Sequence, residues 1–226
     1  MLLNASFLIA AIYAGLQGLV VTGVHTDAGG AQRGVAPGAL IEIGAQGRRF
    51  GFRVEGIPPV SLPQAPSAYY GAAVPQLSLF NGAVRYAVNP AATFWVGAGA
   101  TVINQRTPLP NLSQVVGSRL AGMRYELMYR APLHGGHFIE ILAGGVPHLT
   151  GADHFDYSIP HPGVTKPEIA SEEDGQVAWG VRTRTGEFLF GARSINFSAR
   201  FAATGEAADR NNGGGVMVEW RRFLWR

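Results

Sequence analysis

The sequence predicts an all-β chain: a single antiparallel, up-and-down transmembrane β-barrel of about ten strands, with eight as the other count. Three observations predict it. The segment Arg119 to Ala131 reads RLAGMRYELMYRA, in which Ala121, Met123, Tyr125, Leu127 and Tyr129 alternate with Arg124, Glu126, Met128 and Arg130. A period of two marks a strand with one apolar and one charged face. The same alternation recurs along the chain, and the segments that carry it are joined alternately by short and long connections. Long apolar side chains on one face and paired charges on the other describe a barrel that is apolar outside, charged inside and solvated by lipid.

Ten strands follow in order. The first is Leu16 to His25. Ala39 to Ala45 and Arg48 to Ile57 form a hairpin turned at Gln46-Gly47. Gln76 to Val88 and Thr93 to Asn104 are joined at Asn89-Pro90. Arg119 to Ala131 and His137 to His148 are joined through Pro132 to Gly136. Gln176 to Arg184 and Phe188 to Phe201 turn at Thr185-Gly186, and Val216 to Trp225 is the last. Gly, Pro and Asn punctuate these joints, as tight turns require. The remaining connections are longer: Thr26 to Gly38, Pro58 to Pro75, Gln105 to Ser118, Leu149 to Gly175 and Ala202 to Gly215. An even strand number places both termini on the short-turn rim. The ninth strand breaks step, because Arg193 falls out of phase with Ser194, Asn196 and Ser198, and a β-bulge is expected there.

Parity assigns the inward face. The expected lumen set is Glu42, Arg53, Glu55, Arg85, Arg124, Glu126, Arg130, Glu140, Arg182, Glu219 and Arg221. Five acids and six bases in a narrow barrel are expected to form an ion-pair network that holds the strands in register. Guanidinium meets carboxylate bidentately, which suits the arginine bias. The chain has 18 Lys and Arg together, of which Lys166 is the one lysine.

Charged residues are 15% of the chain, low for a water-soluble domain, and Gly is 31 of 226 residues. There is no cysteine, which excludes a disulfide framework and thiol chemistry. The formal charge is +3. The arginines are spread over strands instead of forming one patch, which argues against nucleic-acid binding. No apolar run reads as a transmembrane helix. Residues Met1 to Ala14 (MLLNASFLIAAIYA) read as a signal-peptide remnant or, alternatively, as first-strand or core sequence. The barrel domain is then residues 15 to 226.

Aromatics gather toward the short-turn ends: Phe50, Phe52, Tyr86, Phe94, Trp95, Tyr129, Phe138, Phe188, Phe190, Phe223 and Trp225. Interfacial girdles have this composition. With the alternation, the turn asymmetry and the final strand GVMVEWRRFLW, the chain resembles small bacterial outer-membrane β-barrels as a class, from about Leu16 to the end. The resemblance implies residence in the bacterial outer membrane, contact with membrane lipid, and insertion by the outer-membrane assembly machinery. That machinery reads a terminal aromatic in the class; here Arg226 follows Trp225. No motif of one particular family is present.

Chemistry is less legible than architecture. The segment Leu149 to Gly175 is acidic, with Asp153, Asp156, Glu172, Glu173 and Asp174 as a weak candidate for a divalent cation. It lacks EF-hand spacing and reads as a solvated loop, so no cofactor or metal is expected. His148, Asp153, His154 and Ser158 would supply a hydrolase with a nucleophile and base. No nucleophile-elbow signature accompanies them, and the chain reads more as a non-enzyme. Ten strands lie nearer the filled than the open case. The expectation is a structural or surface-binding protein that meets an extracellular ligand through its long loops. A small pore, an outer-leaflet lipid hydrolase and a soluble lipocalin-type barrel are the alternatives. The lipocalin reading inverts the faces. Oligomeric state is left open.

Overall fold

Strand β1 (Ile9–Asp27) pairs antiparallel with β2 (Gly30–Gly47) on one side and with β12 (Ala207–Trp225) on the other, so the first and last strands meet. This computed structural model describes residues 9–27, 30–63, 76–109, 114–155, 164–165, 169–201 and 207–225. Side chains are described at 12–24, 33–63, 76–106, 117–151, 169–200 and 213–222. The wall continues through β3 (Phe50–Ser61), β4 (Gln76–Ala87), β5 (Phe94–Leu109), β6 (Gln114–Pro132) and β7 (His137–Val146). It closes through β10 (Ile169–Arg182) and β11 (Gly186–Phe201). The ring order is β5-β4-β3-β2-β1-β12-β11-β10-β7-β6, and β5 pairs β6 to shut it. The expected antiparallel ten-strand barrel is borne out. Two short strands, β8 (Thr150–Phe155) and β9 (Val164–Thr165), form an outer hairpin laid against β6.

Alternation sets the wall because its two faces meet different solvents. Met123, Tyr125, Leu127 and Tyr129 of β6 are exposed on the outside, while Arg124, Glu126 and Met128 are buried inside. The same belt runs round the barrel through Leu16, Ile41, Ile43, Phe52, Phe80, Val84, Val177, Trp179, Phe190 and Val218. A water-soluble monomer rarely exposes an apolar patch beyond a few hundred Å². The lipocalin-type alternative needs the opposite facing and is set aside by this belt.

The long connections are corrected. Expected loops at 26–38, 105–118 and 202–215 are largely strand: β1 and β2 pair out to Asp27 and Gly30, β5 and β6 to Leu109 and Gln114, β11 and β12 to Phe201 and Ala207. The alternation ends before the strands do. A 19-residue strand such as β6 rises roughly 48 Å at about 3.3 Å per residue and a tilt of about 40°. The apolar band of such barrels is only about 25 Å tall. Beyond it the outer face meets water, so the pairing continues without outward apolar residues. The third strand likewise continues through Pro58-Pro59 at a register shift between Ile57 and Val60, where proline's missing donor is tolerated.

The expected bulge at Arg193 is absent. Pairings of β11 with β10 and β12 run without a shift, and Arg193 points inward in step with Glu187, Leu189, Ile195 and Phe197. The facing is constant along the strand, and it is the polarity of the two faces that reverses. Phe188 and Phe190 face outward in the belt, whereas Ser194 and Asn196 face outward above it, over inward Ile195 and Phe197. β4 repeats this, with inward Leu77 and Leu79 above inward Asn81 and Arg85.

Residues 9–14, inside the segment read as a leader, are the opening of β1, with Ile12 to Ala14 opposite Ala45 to Ile43. Residues 1–8 lie outside the described residues.

Candidate functional site in the lumen

The lumen is stratified: the expected polar, ion-paired interior forms a middle layer, and apolar clusters fill both ends. At the short-turn end, the inner end, Trp95, Met128 and Leu142 form one apolar cluster and Phe138, Leu189 and Met217 another. Trp95 and Phe138 are therefore not girdle residues. Each lies at inward parity between outward neighbours, and they are 1% and 4% exposed. The indole Nε1 of Trp95 donates to the Ala92 carbonyl at 2.8 Å, fixing the ring across the inner mouth. At the outer end Leu19, Val21, Leu40, Ile57, Leu77, Leu79, Ile103, Leu120, Val146, Ile195 and Phe197 make a continuous apolar layer. The charged residues occupy the middle.

Ten of the eleven expected lumen residues, Glu42, Arg53, Glu55, Arg85, Arg124, Glu126, Arg130, Glu140, Glu219 and Arg221, are buried there. Arg182 lies at the inner mouth with a half-exposed side chain and reaches Glu187 at 2.8 Å. Arg53 contacts Glu55 at 3.0 Å and Glu126 at 3.1 Å, and approaches Glu42 at 3.5 Å. Glu126 also receives Arg85 and Arg124. Arg221 holds Glu140 at 2.8 Å and Glu219 at 2.9 Å. Arg130 holds Glu187 at 2.6 Å and stacks over the Phe138 ring at 3.9 Å. Amides complete the layer: Gln17 donates to Glu219, Asn81 to Glu55, and Gln176 to Glu140, each at 3.0 Å.

Three charged members of this layer were not expected, Glu172, Asp174 and Arg193, and neither was Glu187, buried at the inner mouth between Arg130 and Arg182. Arg124 binds Glu172 at 3.0 Å and Asp174 at 2.6 Å. Arg193 binds Asp174 and Glu55, both at 2.6 Å. Glu172 and Asp174 read as part of an acidic loop, yet β10 begins at Ile169 and carries both inward. Their parity with Gln176 was the available signal. Glycine makes the room: a Cβ on Gly144 would strike Arg124 and Asp174, and one on Gly97 would strike Glu126.

The weak cation candidate does not assemble. Glu172 and Asp174 are taken up by arginines, and Glu173 faces outward. The side chain of Asp153 and all of Asp156 lie outside the described residues, among which no group of acids and histidines is disposed to hold a metal. Of the hydrolase candidates, His148 is exposed at the end of the β7 wall, and Asp153 and His154 belong to β8 by backbone pairing. Ser158 lies outside the described residues.

The middle layer joins strands that are not neighbours. Arg53 and Glu126 link β3 to β6, Arg221 and Glu140 link β12 to β7, and Arg193 and Glu55 link β11 to β3. Buried ion pairs add little net stability over an apolar filling. What the observed pairs do is bring opposite walls into contact across the lumen.

No protein-family model matches the sequence, and no curated protein matches it. Solved structures do. The outer membrane protease OmpT from Escherichia coli superposes with a TM-score of 0.60 at 10% identity, covering 97% of this chain and 98% of that one. The β domain of the Bordetella autotransporter BrkA gives 0.44 at 11% identity, over 94% and 100%. Neisserial surface protein A gives 0.41 at 8% identity, over 93% and 97%. The first of these likenesses establishes the architecture and no activity. Together with the lipid-facing belt, it identifies a fold and a surface that belong to the bacterial outer membrane.

Proposed function

We propose that the protein is an occluded outer-membrane scaffold: a rigid barrel, closed to solutes, that presents its outer hairpins for a structural or surface-binding role. The observation that carries this is the filled lumen. Arg193 and Glu55 meet across it, and tight apolar layers lie on either side of the charged one. A conducting pore needs a continuous aqueous path, and three packed layers in series deny one. The strands of β1–β2, β5–β6 and β11–β12 project past the belt on the long-connection side. That reach gives an extracellular ligand a platform, and the buried network holds its base still.

Planar-bilayer recording on the refolded chain tests the reading. The expected result is a silent membrane, with the protein shown to be inserted by its heat-modifiable gel band. Stable, reproducible conductance steps from the unmodified chain would overturn it in favour of a pore.

A further inference from the structure

Charge is unevenly placed on the short-turn rim. Arg48, Arg49, Arg182, Arg184 and Arg222 are exposed at its turns and strand ends, and the acid among the described rim residues is the buried Glu187. Inside this collar is a cleft of about 310 Å³, lined by Gln46, Thr93, Arg130, His137, Phe138 and Arg182 together with small and apolar turn residues. Glu187 pairs with both Arg130 and Arg182, and Arg130 also approaches Glu140 at 3.9 Å, so the excess positive charge at the mouth comes from the exposed collar. Among the described residues Arg182 engages Glu187 through Nε alone, and its terminal nitrogens remain as donors. Gln46 accepts from Arg130 at 3.4 Å through its amide oxygen, which leaves its amide nitrogen to donate, whereas His137 faces outward with its ring stacked on Trp179 at 5.1 Å. The Thr93 hydroxyl accepts from Asn89 at 2.6 Å, which leaves its proton to donate.

We propose that this inner-mouth cleft is a binding site for a phosphate group. The donors come from three separate turns: Gln46 from β2–β3, Thr93 from β4–β5 and Arg182 from β10–β11. Donors arriving from several directions suit a tetrahedral oxyanion better than a planar carboxylate, and guanidinium binds phosphate through paired bonds. The collar raises the local concentration of anions. The rim lies just beyond the outward aromatics Phe50, Tyr86, Phe94 and Phe188, at the depth of lipid headgroups. Two sources share this chemistry: an anionic phospholipid headgroup and a soluble phosphate monoester.

The test uses the full chain refolded in zwitterionic detergent and reads tryptophan fluorescence, to which the bond from Trp95 to Ala92, a residue of the cleft wall, couples the cleft. Glycerol 3-phosphate, short-chain phosphatidylglycerol, succinate and glycerol are titrated separately. Saturable binding of both phosphates assigns the site to phosphate from either source, and saturation by phosphatidylglycerol alone assigns it to the lipid. In either case Arg182→Gln weakens binding by at least about tenfold, as loss of charge-assisted bonds predicts, and Arg184→Gln, outside the cleft, leaves it near wild type. Thr93→Val serves in its place should Arg182→Gln not give the heat-modifiable band. Saturation by neither phosphate, equal affinity for succinate, or unchanged affinity in the cleft variant would overturn the proposal.

Discussion

Arg193 on β11 and Glu55 on β3 meet at 2.6 Å with three strands between them on one side of the ring and five on the other. Both side chains are fully buried. The pair spans the lumen and ties together walls that share no backbone hydrogen bonds. It also has supports on each side, since Arg193 binds Asp174 and Glu55 binds Arg53.

Removing one partner should therefore cost far more than removing both. Arg193→Met leaves Glu55 and Asp174 short of a cation, and a buried pair broken from one side costs about 3–5 kcal/mol. The double variant Arg193→Met/Glu55→Met should recover a measurable part, with a coupling of about 0.5–3 kcal/mol. Urea unfolding in lipid vesicles, followed by the heat-modifiable band, measures all four corners of the cycle. Strictly additive losses would show that the two residues do not act as a pair.

Packing at the inner end gives a second expectation. A Cβ on Gly180 would fall within the Phe138 ring. Gly180→Ala should destabilise the barrel by about 1–3 kcal/mol, the usual cost of overpacking. Phe138→Leu should relieve part of that loss when the two changes are combined, and unfolding midpoints of the single and double variants report it.

The belt gives a third. Tyr125 faces outward at mid-strand, and Asn196 faces outward above the belt. Tyr125→Arg should cost about 2–4 kcal/mol in a bilayer if Tyr125 lies near the midplane, and Asn196→Arg close to nothing. Folding yield into vesicles of defined thickness separates the two.

The legible part of this chain was the part that lipid constrains. Each outward position of β6 from Ala121 to Tyr129 must be apolar or aromatic, so strand, parity and charged inner face could be read from thirteen residues. Above the belt that constraint disappears, and polar outward residues such as Ser194 and Asn196 broke the pattern without breaking the strand. Reading the out-of-phase Arg193 as a bulge assumed that the outward face stays apolar along the whole strand. Trp95 and Phe138 were misplaced for a related reason: composition near a turn suggests a girdle, but parity decides which side of the wall a ring occupies. Glu172 and Asp174 were hidden in SEEDG, where composition resembles a solvated loop and only the step of two back from Gln176 points inward. The inner-mouth cleft was not legible at all, because its donors lie on three different turns.

The most direct test of the account is cysteine accessibility along β11 in a chain that has no cysteine of its own. Single cysteines at Phe190, Ser194, Ile195 and Asn196 would be challenged with a membrane-impermeant maleimide after insertion into vesicles. The account predicts rapid labelling at 194 and 196 and protection at 190, by lipid, and at 195, by the packed lumen. Labelling of 190 as fast as 194, or of 195 as fast as 196, would contradict a lipid-embedded barrel whose outward face turns from apolar to polar above the belt and whose lumen is closed.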